Sequence, residues 1–251
     1  MLSNKFIYKI LRGFYHPSSF LLNFIFRKNF TNPDEVRHIL ITKIDGLGDY
    51  MMALRAIISI KKYFPTAKIT QIVSSQNTQI AETISPNYIV YESPFFYPYK
   101  VGFIKSLSII FKVQKISPDL IIDFRGDFFL LAGTVLSFPK YRLEIGHARL
   151  FSTFVKLFAR NGSNIYKRLS SLPETELYNK LILDSKVELL SSSDCRGYIE
   201  NQIGIGKVEK KFSLTDEYCC IHIGGSVAHK RWPVEYYIEL AASIFSKYQI
   251  K

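Results

Sequence analysis

Two acids and two glycines stand together in residues 43–49, KIDGLGD, directly after a short apolar run. The acids are Asp45 and Asp49, and the glycines are Gly46 and Gly48. Carboxylates here repel phosphate, so the turn suits a base that takes a proton from a neutral hydroxyl better than an anion cradle. Alternatively, Asp49 caps the helix that follows, because Asp is a favoured N-cap residue and complements the helix dipole.

A second turn, in residues 224–233 (GGSVAHKRWP), has the opposite charge. Gly225 and Ser226 are small residues that expose backbone N–H groups, while Lys230 and Arg231 add two cations in front of a helix N-terminus. These are the parts of a phosphate site. The alternative is that the two cations are simply solvated.

A third charged cluster follows the apolar run 119–124 and contains Asp123, Arg125 and Asp127. If the strands are parallel, this cluster lies at the same edge of the sheet as Asp49. It is either a salt-bridge network or part of a ligand site, since both arrangements gather charged groups.

Alternating β-rich runs and amphipathic segments predict an α/β fold with a Rossmann-like parallel sheet. The first strand, the glycine turn and the next helix form the opening half of a βαβ unit, and ligands in such folds bind at the carboxyl ends of the strands. The predicted strands are 39–42, 68–74, 88–91, 119–124, 141–147 and 218–223, and the predicted helices are 76–84, 101–115, 128–138, 149–160, 174–190, 234–248 and one that ends near Pro65.

The composition limits the partners. The chain has 251 residues, 47% of them hydrophobic, and a net charge of +12, which favours an acidic partner such as an anionic lipid, a phosphorylated substrate or nucleic acid. Cys195, Cys219 and Cys220 have no metal-site spacing, so a reducing compartment is expected and zinc is not. No apolar run reaches the roughly 18 residues that a membrane span needs.

The first 35 residues form a basic amphipathic segment that combines Phe, Leu and Ile with Lys and Arg. Such segments are typical of membrane surfaces. Packing against the domain's own surface would explain the same pattern.

Two other classes of function fit the sequence less well. A nicotinamide-dependent oxidoreductase would need the third glycine of G-x-G-x-x-G, but Met51 stands there. The basic residues are dispersed and form no nucleic-acid-binding motif. The sequence therefore predicts neither class.

The two turns together resemble glycosyltransferase family 9, the lipopolysaccharide heptosyltransferase family. KIDGLGDYMMALRAI is similar to the family's opening strand, turn and aspartate, and residues 222–233 match its H-x-G-x-S-x-x-x-K-x-W-P loop. DLIIDFRGD and RLEIGH match family positions between them, so the resemblance covers about residues 37–250. It implies a two-domain GT-B fold and a metal-independent, inverting transfer, without a cofactor, from a nucleotide diphosphate sugar such as ADP-heptose to a lipid-linked saccharide.

The resemblance also implies roles for individual residues. Asp49 matches the general base, and Ser226 and Lys230, with Gly225 beside them, match positions that contact the donor phosphates. Apart from the resemblance, four residues at the sheet edge are candidates for an acceptor-binding or supporting site: Asp45, Gly48, Arg125 and Asp127. The enzyme would act in the cytoplasm, peripherally at the inner face of the cell membrane.

The predicted domains are the amphipathic segment 1–35, an acceptor-side Rossmann-like domain over 36–190, a linker over 191–216 and the start of a nucleotide-sugar-binding domain over 217–251. The last domain contains one predicted strand and one helix, too few to bury a Rossmann-like core. Either the sequence is a fragment of a longer protein, or the protein is a shortened relative. In the second case the alternative function is non-catalytic binding to a membrane surface.

Overall fold

The computed structural model describes residues 33–93, 103–125, 127–137, 139–146, 165–167, 173–203, 210–211, 218–224 and 231–249. The chain divides into two compact units, Met1–Gly197 and Tyr198–Lys251. The amphipathic segment (except its last three residues), the predicted helix 149–160, and Gly225, Ser226 and Lys230 of the second turn lie outside the described residues.

The first unit contains a parallel sheet of six strands in the order β3-β2-β1-β4-β5-β6, which confirms the predicted fold class. The strands are β1 (His38–Lys43), β2 (Lys68–Val73), β3 (Tyr88–Val90), β4 (Leu120–Asp123), β5 (Tyr141–Gly146) and β6 (Ile165–Lys167). The helices are α1 (Leu47–Tyr63), α2 (Thr78–Ile84), α3 (Phe103–Ile116), α4 (Phe128–Leu136), α5 (Glu174–Asp184) and α6 (Ser192–Ile203), which continues into the second unit. Two 3₁₀ turns occupy Pro33–Glu35 and Ser75–Asn77.

The central strands β1 and β4 are buried because they carry continuous apolar runs with helices on both faces. Ile39, Leu40 and Ile41 in β1 are at most 1% exposed, as are Ile121 and Ile122 in β4. Burying such side chains fully is worth about 1.5–3 kcal/mol each. The apolar runs therefore fix the strands whose ends carry the charged turns.

Strands β1 and β4 lie side by side, and Thr42 aligns with Asp123. From β1 the chain crosses to β2 on one side of the sheet, and β4 begins the strands on the other side. The connections thus diverge between β1 and β4, and α/β proteins bind ligands at such topological switch points. The acid turn after β1 and the charged cluster after β4 both open onto this point.

One helix prediction differs from the structure in the second half of the chain. The predicted helix 174–190 ends at Asp184, because Lys186 takes a left-handed φ of 63° and the N–H of Val187 bonds back to the Ile182 carbonyl. The segment predicted as a linker, 191–216, contains α6.

The predicted strand 218–223 is wrong. Residues 218–224 form no strand in the structure, and all except Ile221 are exposed. A strand forms only where a neighbour pairs with its backbone, and no described residue pairs with this segment. The predicted helix 234–248 is confirmed as α7 (Val234–Tyr248), and none of its side chains is buried.

Helices α3 and α4 cross closely at Gly133. A methyl group added there would lie 2.8 Å from Val113 Cβ and 3.2 Å from the Cα atom and the carbonyl oxygen of Ile110. We expect Gly133→Ala to lower the free energy of unfolding by about 1–3 kcal/mol, since overpacking forces the helices apart. Chemical denaturation measures this. Gly197→Ala is the matched control, because that helical glycine has open space around it and alanine favours helix. Equal stability of the Gly133→Ala variant and the wild type would contradict close packing at this crossing.

Candidate active site at the switch point

Asp49 lies in the first turn of α1, at the carboxyl end of β1. The N-cap residue is Gly46, so Asp49 is the third residue of the helix. Its side chain is partly exposed and, among the described residues, accepts no hydrogen bond. The interpretation of Asp49 as the N-cap is therefore wrong, although the helix dipole still favours its negative charge.

Asp45, in contrast, is fully engaged inside the protein. Its Oδ2 atom lies 2.6 Å from Lys43 Nζ and its Oδ1 atom lies 2.6 Å from Arg125 Nε. Its backbone carbonyl accepts hydrogen bonds from Ser74 Oγ and Asn77 Nδ2, both at 2.8 Å. Asp45 thus ties β1 to β4 and to the turn after β2.

Sequence reasoning assigned no role to Lys43, the buried centre of this site. Its Nζ atom also donates to Tyr178 Oη at 2.6 Å and lies 4.4 Å from the centre of that ring. Burial lowers the pKa of Lys43 below its ordinary value, while the negative charges of Asp45 and Asp49 oppose the change. Tyr178 comes from α5, 135 residues away in the sequence, so no local signal identifies the pair.

The acid at the end of β4 has an internal role as well. Asp123 Oδ1 accepts a hydrogen bond of 2.6 Å from Thr42 Oγ1 and one of 3.1 Å from the Arg125 N–H. Asp123 is 3% exposed, while the Arg125 side chain, at 23%, reaches the surface. Of this pair, only Arg125 therefore presents a charge to the solvent at the switch point.

Asp127 is the N-cap of α4. Its Oδ1 atom accepts hydrogen bonds from the backbone N–H groups of Phe129 (2.9 Å) and Leu130 (3.2 Å) and from Tyr91 Oη (3.1 Å). Ser93 Oγ donates to its other oxygen. These bonds make Asp127 a supporting residue that holds the segment after β3 against α4.

Burial raises the pKa of Asp127 from 3.8 to about 6, outweighing the hydrogen bonds that favour the carboxylate. The folded protein thus binds a proton between these two pH values that the unfolded chain has lost, so the free energy of unfolding falls as pH rises from about 4 to 6. Asp127→Asn keeps the capping oxygen without the titration. Between about pH 4 and 6 the free energy of unfolding of the wild type should fall by an amount on the order of 3 kcal/mol, and we expect this fall to be absent in the variant.

Urea denaturation of both proteins at pH 4, 5, 6 and 7 measures this difference. Glu82→Gln is the matched control, since it also replaces a carboxylate by an amide, at an exposed position in α2. If the Asp127→Asn curve ran parallel to that of the wild type, burial of this carboxyl would not perturb its titration.

The structure thus brings some of the predicted residues together. Asp45 and Arg125 are in contact, and Asp49 lies near enough to Lys43 to affect its pKa. Gly48 is exposed at the second position of α1, with open space around it. Gly225, Ser226 and Lys230 stay predictions, because the structure does not describe them.

The described residues contain neither a candidate metal cluster nor a candidate membrane span. No group of three or more His, Cys, Asp or Glu side chains in the described ranges is placed to hold a metal ion. No described helix is long and apolar enough to cross a membrane.

The order of the sheet and the position of the switch point define the Rossmann-like class of α/β proteins. Within this class, several solved glycosyltransferases are similar in structure. A glycosyl transferase of family 9 from Veillonella parvula DSM 2008 has a TM-score of 0.54 and 19% sequence identity, over 83% of this chain and 59% of that one.

Two heptosyltransferases from E. coli are similar as well. WaaC, solved with ADP-2-deoxy-2-fluoro heptose, has a TM-score of 0.55 and 15% identity, over 82% of this chain and 65% of that one. ADP-heptose lps heptosyltransferase II has a TM-score of 0.51 and 16% identity, over 84% of this chain and 62% of that one.

These similarities show that the chain shares its α/β fold with these solved glycosyltransferases. The chain spans about three fifths of the length of these relatives. No protein-family model matches the sequence, and no curated protein matches it significantly.

Proposed function

We propose that this chain belongs to a glycosyltransferase. The enzyme transfers a heptose-like sugar from a nucleotide diphosphate sugar, ADP-heptose or a related donor, to a lipopolysaccharide-type or other lipid-linked saccharide. Transfer is inverting and metal-independent, and Asp49 is the general base. The fold shared with solved glycosyltransferases supports the class of activity.

One observation carries the proposal: the described acids after β1 and β4 are not equivalent. Asp45 pairs with two cations, Asp123 accepts two hydrogen bonds and Asp127 caps a helix. Asp49 is partly exposed and accepts no hydrogen bond from the described part of the chain. Of these four carboxylates, Asp49 alone is available to take a proton from a substrate.

The chemistry of a general base fits this position. An acceptor hydroxyl within hydrogen-bond reach of Asp49 gives its proton to the carboxylate while its oxygen attacks the anomeric carbon of the donor. The bond from that carbon to the diphosphate breaks, and the nucleotide diphosphate leaves with the electron pair. Base, nucleophile and leaving group act in one displacement, so the anomeric configuration inverts.

The donor side of the proposal comes from the sequence motif. Gly225 and Ser226 would hold the diphosphate through N–H and hydroxyl groups, and Lys230 would stabilise the negative charge that develops on the leaving group. The net charge of +12 agrees with an anionic donor and an anionic membrane surface. We place the enzyme peripherally at the cytoplasmic face of the membrane, where residues 1–35 would contact lipid.

The experiment is a transfer assay with the protein purified from its source. ADP-heptose is the donor, and the lipid-linked saccharide extracted from a strain that lacks the gene is the acceptor. Mass spectrometry of the saccharide should show one added heptose unit. No added sugar from ADP-heptose or any other nucleotide sugar would refute the proposed function.

A further inference from the structure

A second polar side chain stands beside Asp49 at the switch point: that of Gln76. A methyl group added at Gly46 would lie 3.8 Å from Asp49 Oδ2 and 3.9 Å from Gln76 Oε1. The two side chains therefore approach the same point at the turn, Asp49 from α1 and Gln76 from the 3₁₀ turn after β2. Because both oxygens are within 4 Å of one point, a single sugar ring can reach both.

The turn that carries Gln76 is firmly held. Ser74, directly before this 3₁₀ turn, and Asn77, its last residue, are both fully buried and donate hydrogen bonds to the carbonyl of Asp45. The backbone N–H of Ser75 donates to Glu92 Oε1 at 2.9 Å. The position of Gln76 relative to Asp49 is thus fixed by the same residue, Asp45, that joins β1 and β4.

The side chain of Gln76 itself is available to a ligand. It is exposed and has no hydrogen-bond partner among the described residues. The amide of Gln71, on the preceding strand, has internal partners instead. Its oxygen accepts a hydrogen bond from Tyr50 Oη (2.5 Å), and its nitrogen donates one to the Ala81 carbonyl (2.9 Å). A glutamine amide offers one acceptor and two donors, which match neutral hydroxyl groups.

We propose that Gln76 is an acceptor-binding residue that orients the saccharide for deprotonation by Asp49. Its amide hydrogen-bonds a hydroxyl of the same ring whose reactive hydroxyl faces the carboxylate. The ligand class at this position is a neutral, hydroxyl-rich sugar ring. The inference deepens the proposed function and depends on it.

Gln76→Ala is the test, in the transfer assay with the native protein, ADP-heptose and the acceptor extracted from the gene-deletion strain. Loss of a hydrogen bond to a neutral hydroxyl should lower kcat/KM for the acceptor about tenfold. KM for the donor should stay unchanged, because the donor site belongs to the other turn. The melting temperature should also stay unchanged, because the side chain is exposed and makes no internal hydrogen bond.

Gln79→Ala is the matched control, since Gln79 is an exposed glutamine three residues further on, in α2. It should keep the wild-type kcat/KM. If Gln76→Ala and Gln79→Ala both match a wild type that transfers sugar, the role of Gln76 is overturned while the proposed function stands. If the wild type transfers no sugar at all, both are overturned.

Discussion

Replacing Asp49 by asparagine should lower kcat for sugar transfer on the order of 10³-fold, because an amide cannot take the proton of the acceptor hydroxyl. Binding of the donor should change little, since the proposed donor motif lies in the other turn. The fold should also survive, because the carboxylate accepts no hydrogen bond from the described residues, and loss of its charge near the helix N-terminus costs only about 0.3–1 kcal/mol. Steady-state kinetics and chemical denaturation of the same preparation separate the two effects.

Glu82→Gln is the control for the Asp49 experiment, since it removes an exposed carboxylate from α2, away from the turn. Its kinetics should equal those of the wild type. An Asp49→Asn variant with more than a tenth of the wild-type kcat would show that another group accepts the proton, and Asp49 would lose its assigned role.

The largest loss of stability is expected from Asp45→Asn. Lys43 is 0% exposed, and its ammonium group would remain buried beside a neutral amide. Removing one partner of a buried ion pair costs about 3–5 kcal/mol, because the other charge stays without compensation. Asparagine would also weaken the contact with Arg125. Urea denaturation should show a midpoint far below that of the wild type, with an unchanged slope.

A double-mutant cycle identifies the cause of that loss. Lys43→Met removes the buried cation, so Asp45→Asn combined with Lys43→Met should cost less than the sum of the two single variants. Glu82→Gln, which removes an exposed acid, should change the free energy of unfolding by no more than about 0.5 kcal/mol. Additive effects of Lys43→Met and Asp45→Asn would contradict direct coupling between the two side chains.

The fold follows from the sequence wherever apolar periodicity is continuous. The apolar runs around Ile39 and Ile121 are typical of central strands in a parallel sheet. The sequence therefore predicts β1 and β4 and the sheet edge at which both strands end. Helix α7 is predicted to the residue, because Pro233 precedes it and its apolar side chains recur at helical spacing. In contrast, residues 218–223 have the composition of a strand, but no described strand pairs with them. Composition alone does not determine whether a pairing strand is present.

The candidate site shows a similar division. Acids after the strands are visible in the sequence, but their roles depend on partners far along the chain. Asp127 accepts hydrogen bonds from Tyr91 and Ser93, which lie more than 30 residues away in the sequence. Lys43 donates one to Tyr178, more than 130 residues away. Sequence spacing can therefore place Asp45, Asp49 and Asp127 at one edge, but only the three-dimensional structure distinguishes the available carboxylate of Asp49 from the acids that have internal partners.

Gln76 was missed for a related reason. A glutamine after a strand has no distinctive pattern, and its approach to Asp49 is visible only at Gly46, where the turns after β1 and β2 meet. The one available signal is its position two residues after a predicted strand, at the edge where ligands bind.

The anomeric configuration of the transferred sugar tests the central claim most directly. Deprotonation of the acceptor hydroxyl by Asp49, followed by direct attack on the donor, is a single displacement. NMR spectroscopy of the purified product of the transfer assay should therefore show a configuration opposite to that of the nucleotide sugar. Retention of the donor configuration would contradict the assignment of Asp49 as the base of an inverting glycosyltransferase.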